Sequence, residues 1–192
     1  MKKAIISSVL ILLSLLCACS NSSNSAESSA STSQVPDYPT FGASAELWAE
    51  AMGQSLEDGG TYNAFSIVPS IFDDESDVYG NIRCYSYPIC ENANVMLYEN
   101  KDNQQCYQFS IAVDWRTIDP QDDDVFLIGN YTGLLILAAE QDTAKSEEIG
   151  NDLGLLDTFN AYDDTVRTAE SDNASYTYAT QDYLTTFTVL AK

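Results

Sequence analysis

Apolar and polar positions alternate with two different periods after residue 43. Residues 44–58 place Trp48, Met52, Ser55 and Leu56 on one helical face and acidic residues on the others, with Gly59-Gly60 as a stop. The period then falls to two. Runs rich in aromatic and β-branched residues at 62–68, 82–89, 95–99 and 106–115 predict four strands. Asp73-Asp74-Glu75-Ser76-Asp77 reads as a solvated loop between the first two. Cys90-Glu91-Asn92 and Lys101-Asp102-Asn103 suit three-residue hairpin loops with Asn92 and Asn103 in the left-handed region. Those turns align Tyr87, Val95 and Phe109 across three strands, as they do Tyr85, Leu97 and Tyr107, and Ile89, Ala93 and Ile111. Apolar residues then share one face, and a one-residue slip would scatter them.

A second helix opens at Asp119-Pro120-Gln121-Asp122, with a capping Asp, proline in the first turn, and Asp123 and Asp124 near the positive end of the dipole. Its body, 125–139, is apolar on nearly all sides, shorter than a membrane span and interrupted by Asn130, Tyr131 and Thr132, which predicts a central core helix. Gly129 and Gly133, one turn apart, suggest close approach to the sheet. A short helix is expected at 144–153. Leu155, Phe159, Tyr162, Val166 and Ala169 fit helical spacing, yet 165–169 also suits a strand before a Ser171-Asp172-Asn173 turn; strand is the preferred reading. A closing strand spans 184–190. The sum is an α+β fold, an antiparallel sheet of about five to seven strands with two or three helices packed on one face.

The N-terminus has a different character. Met1-Lys2-Lys3 precedes an apolar run, 4–16, and then Leu16-Cys17-Ala18-Cys19-Ser20. A basic start, a short hydrophobic stretch and small residues at a cleavage point form a secretory signal peptide. The end of this leader resembles the lipobox of bacterial lipoproteins, with Leu16 at −3, Ala18 at −1 and Cys19 at +1. Choosing Cys17 instead would put Leu16 at −1, where a large residue fits poorly. The resemblance implies a diacylglycerol on Cys19, cleavage before it, and attachment to the outer face of the cell membrane. Two acyl chains make such attachment stable. Residues 20–34, SNSSNSAESSASTSQ, bury too little apolar surface to offset ordering entropy. They read as a flexible tether with a reach of roughly 20 Å. The expected organisation is a signal peptide at 1–18, the lipidated cysteine and linker at 19–36, and one acidic domain at 37–192.

Charge narrows the partners. All 29 acidic residues lie after Cys19, against Arg83, Lys101, Arg116, Lys145, Arg167 and Lys192. Such a field repels nucleic acid and anionic headgroups, and it favours a basic protein or peptide. The chain has no histidine, which removes Ser-His and Cys-His nucleophile pairs and HExxH zinc sites. No phosphate-binding or dinucleotide glycine motif is present, so no cofactor is implied. Asp73-x-Glu75-x-Asp77 starts like a calcium loop, but Val78 stands where glycine is needed and Cys84 where a bidentate Glu is needed.

In the register above, Cys84 and Cys106 lie on one sheet face, two strand spacings or about 9.5 Å apart, beyond disulfide reach. Cys90 sits in a turn, so three free thiols are expected. The same face carries Ile82, Ser86, Met96, Tyr98, Gln108, Ser110 and Ala112. Cys84, Met96, Tyr98, Cys106 and Gln108 form a candidate ligand-facing surface. The expected function is a non-catalytic, membrane-anchored binding domain. The alternative is a histidine-free enzyme using carboxylates or a thiol, such as a small glycan-acting hydrolase.

Overall fold

Ser44 caps the first helix, its Oγ accepting from the Leu47 amide at 3.3 Å, while Glu99 Oε2 reaches from the sheet to accept the Ala45 amide at 2.8 Å. In the computed structural model, which describes residues 38–119, 123–155 and 164–192, this helix is Ala45–Asp58 (α1). Trp48, Met52, Ser55 and Leu56 are all buried, as their spacing requires. Two further helices follow the main strands, Asp123–Glu140 (α2) and Thr143–Asp152 (α3). Asp123 and Asp124 occupy the first turn of α2; the expected cap lies partly outside the described residues. Among the described residues no helix is long and apolar enough to cross a membrane.

The strands are Ser70–Ser76 (β1), Gly80–Cys90 (β2), Ala93–Asn100 (β3), Gln105–Asp114 (β4), Thr165–Glu170 (β5), Ala174–Gln181 (β6) and Leu184–Ala191 (β7). They form one seven-stranded antiparallel sheet in the order β1-β2-β3-β4-β7-β6-β5. The helices cover one face, so the fold is α+β, and among the described residues no helix packs on the other face, here called the open face. The favoured strand at 165–169 is β5, and Ser171–Asn173 makes the turn into β6.

A row of seven neighbours, Ile71, Tyr85, Leu97, Phe109, Val189, Tyr176 and Ala169, crosses every strand on the helix-covered face. All of that row but the exposed Ile71 is buried, and the next row, Tyr87, Val95, Ile111, Phe187 and Tyr178, is buried throughout. Phe41 stacks on Phe109 with centroids 4.4 Å apart, and Trp48 meets that ring edge-on at 5.3 Å, which locks α1 to β4.

Four local expectations are corrected. Residues 62–68 are not a strand. Asn63 accepts from the Phe65 amide and starts a short 3-10 turn, Ala64–Ser66, while the Tyr131 hydroxyl accepts from the Ala64 amide and donates to the Tyr62 carbonyl. Such side-chain bonds compete with strand pairing for the backbone. Residues 73–76 are not a loop, and only Asp77 falls in the turn that follows. Asp73, Asp74 and Glu75 lie in edge strand β1, whose exposed charges guard its unpaired side.

The β2–β3 register runs as expected from Ile82 to Pro88, but Asn92 is not left-handed and a bulge lies between Pro88 and Cys90. The β3–β4 register is displaced by two residues, so Val95 faces Ile111 and Leu97 faces Phe109. Gln104 (φ 56°), not Asn103, holds the left-handed position, and the Asn100 side chain accepts from the Asp102 and Asn103 amides. The loop grows by one residue and a bulge at Tyr107 adds a second, so from Gln108 onward each side chain keeps its face while changing its neighbours.

Burial raises the hydroxyl pKa of Tyr87, Tyr98 and Tyr131 to about 12 from the ordinary 10.0. A raised folded-state value means that stability is complete below about pH 10 and declines as pH climbs through 10 toward 12. Tyrosinate absorbance at 295 nm is therefore expected to appear together with loss of the circular dichroism signal. Titration of all twelve tyrosines near pH 10 in a folded chain would contradict this.

Candidate functional site

The open sheet face was legible as a surface, with one exchange. Cys84, Met96, Tyr98 and Gln108 do lie on it, half-buried, and Cys84–Tyr98–Gln108 form one cross-strand row. Cys106 does not. A bulge opposite Tyr98 and Glu99 places one extra residue in β4 and swaps the faces of Cys106 and Tyr107. The Cys106 thiol is therefore fully buried in the helix-side core, where desolvation and then the Glu99 carboxylate push its pKa well up. Cys84 and Cys106 thus point to opposite sides of the sheet, and Cys84, Cys90 and Cys106 are all unbridged.

Tyr107 takes the vacated place on the open face. It stacks on Tyr79 at 4.4 Å and meets Tyr38 edge-on at 5.7 Å, and Tyr98 lies 6.3 Å away. The Tyr38 hydroxyl donates to the Tyr79 carbonyl at 2.9 Å. The backbone then crosses the end of the sheet beside Cys106: the Phe41 amide donates to the Cys106 carbonyl and the Cys106 amide to the Ala43 carbonyl. These bonds extend β4 where β7 has ended.

A second feature was missed. Gly129 and Gly133 do not approach the sheet; a Cβ at either would meet nothing within 4 Å. They line a cleft of about 610 Å³ between α2, α3, the end of α1 and the helix-side face of β4, β6 and β7. Val125, Leu137, Leu155, Ile111 and Phe187 give it a mainly apolar wall. Its size falls within the range of small-ligand sites, about 300–1,000 Å³. At the sheet side the Trp115 indole N–H donates to Thr185 Oγ1 at 2.8 Å, and Thr185 in turn shares a 2.7 Å bond with Thr180. Glu147 is the one charged side chain among the described lining residues. The paired glycines on an otherwise apolar helix were the available sequence signal, and only the tertiary packing reveals which side they leave open.

The surface field is as acidic as composition implies, because the basic side chains among the described residues are engaged. Arg83 and Lys101 both bind Asp73, at 2.8 and 2.9 Å, and hold its carboxyl well below the usual carboxylate range. Arg116 pairs with Asp114 and lowers that carboxyl to about 2. Lys145 bonds Glu148 at 3.0 Å, Lys192 bonds Glu170 at 2.7 Å, and Arg167 donates to the Leu153 and Gly154 carbonyls. Exposed pairs of this kind add little stability, but they leave unpaired carboxylates to set the potential. Among the described residues no group of three or more His, Cys, Asp or Glu side chains is arranged to hold a metal ion.

The chain matches no protein-family model, and comparisons with curated proteins and with solved structures found no match.

Proposed function

We propose that this chain is a lipid-anchored, extracytoplasmic binding protein. Cys19 carries the acyl anchor, the Ser-rich segment is the tether, and the domain captures an amphipathic cationic peptide or protein segment. Apolar side chains of that partner enter the cleft, and its positive charges meet the surrounding carboxylates. The observation that carries this reading is a mainly apolar cleft of about 610 Å³ set in a chain of net charge −21. Hydrophobic burial supplies affinity, while the field supplies steering and selection by charge. The glycan-hydrolase alternative needs two carboxyl groups facing each other across a pocket. Glu147 alone lines this one among the described residues, which favours binding over turnover.

Two measurements test the proposal. A Cys19→Ala chain is expected to leave the membrane fraction; persistence there would refute the anchor. A synthetic Leu/Lys amphipathic helix, titrated calorimetrically, is expected to bind the wild-type protein more weakly as salt rises. Gly133→Trp or Gly129→Leu, each projecting into open space, is expected to weaken binding at least about tenfold, or 1.4 kcal/mol. Equal binding by both variants, with folding verified by circular dichroism, would exclude the cleft.

A further inference from the structure

The centre of the open sheet face is almost free of charge in a chain with 29 acidic residues. Its middle row crosses all seven strands, with Ser86, Met96, Ser110, Thr188 and Thr177 across the inner ones and no charged side chain at either end. The two flanking rows, through Tyr98 and through Ala112, hold a single charge, Glu170 at the rim on β5, and Lys192 pairs with it. Among the described residues no helix lies on this side. Beyond these three rows the margins of the face carry Asp74 on β1 and the Asp114–Arg116 pair at the end of β4, so its centre offers neither a carboxylate to a basic partner nor a cation to an anionic one.

A neutral surface of hydroxyls interspersed with apolar side chains such as Met96, Tyr98 and Leu190 is complementary to itself. Ser110 is buried and its hydroxyl already bonds Gln108 and Thr188, but the half-buried Ser86, Thr177 and Thr188 hydroxyls can each donate and accept, so a copy of the same surface can satisfy them without opposite charge. Two strongly acidic molecules repel everywhere except across neutral ground. Seven strands at about 4.8 Å spacing, crossed by three rows, present roughly 600 Å². Doubled, that reaches the lower end of specific interfaces, about 1,200 Å² in total. We propose that this face packs against the same face of a second copy, sheet on sheet, as in aligned β-sandwiches about 10 Å thick. The helix-side cleft stays open on both outer surfaces, so the dimer is bivalent for the partner proposed above; the pairing itself does not depend on that reading.

Sedimentation equilibrium of the full chain in density-matched neutral detergent tests this directly. A concentration-dependent dimer is expected, with a dissociation constant in the micromolar range for so small an interface. Thr188→Glu and Thr177→Glu, each placing like charges opposite one another, are expected to weaken it at least about tenfold. Glu57→Gln, on the exposed side of α1, is expected to leave it unchanged. Circular dichroism and melting confirm that the two face variants are folded. A monomer at about 100 µM would overturn the proposal. So would a dimer indifferent to both face variants, or a different copurifying protein whose retention they abolish.

Discussion

Phe109→Ala is expected to lower the melting temperature by about 10 °C. Phe109 is fully buried at the centre of the sheet, stacked on Phe41 and touched edge-on by Trp48. Removing its ring costs the transfer free energy and leaves a cavity that a sheet cannot collapse, about 3–5 kcal/mol together. In a domain of this size each kcal/mol is worth about 2–4 °C. Because the ring joins α1 to β4, the loss should also loosen segment 38–43, visible as faster amide exchange there. Thermal denaturation followed by circular dichroism measures the first effect. A shift below about 3 °C would mean that the Phe41–Trp48–Phe109 cluster does not anchor α1.

Glu140→Ala is expected to destabilise by about 3 kcal/mol, and Glu140→Gln by about 1 kcal/mol. Glu140 ends α2 and is only 7% exposed, an unfavourable place for a carboxylate near a helix C-terminus. It is retained there by three donors: the Tyr176 hydroxyl, the Ser171 hydroxyl, and the Asn173 side-chain amide at 3.4 Å. Burial, then this carboxylate, raises the Tyr176 pKa well above its ordinary value, so the phenol remains a donor. Alanine removes the acceptor and strands a fully buried hydroxyl. Glutamine keeps an oxygen in nearly the same place. The ordering of the two variants in urea denaturation is the decisive reading, since equal effects would point to lost packing instead of lost hydrogen bonds.

Local rules carried the reading furthest where they agreed with one another. Ser44 and Gly59 bound α1 as their chemistry requires, and β2 and β3 pair as Tyr87–Val95 and Tyr85–Leu97 over most of their length. The next hairpin failed because Gln104, a residue with no special preference for positive φ, took the position expected of Asn103. The bulge at Tyr107 then reversed two side chains and removed Cys106 from the candidate surface. Strand β1 was illegible because an edge strand exposed on both sides has no buried face to impose alternation. The cleft was illegible because it consists of space left between elements.

The order of polar and apolar residues alone determined the fold class, the position of α1, the pairing of β2 with β3, and the acidic field. Each depends on near neighbours or on totals. Only the tertiary structure decided which glycine faces stay open, which side of the sheet Cys106 enters, and that nearly uncharged rows from seven strands share the face on which, among the described residues, no helix packs. Those properties arise from residues as far apart as Ser110 and Thr188, whose hydroxyls meet at 3.3 Å. Register and packing between distant segments are settled jointly by the whole core, and no local stretch of chain contains that information.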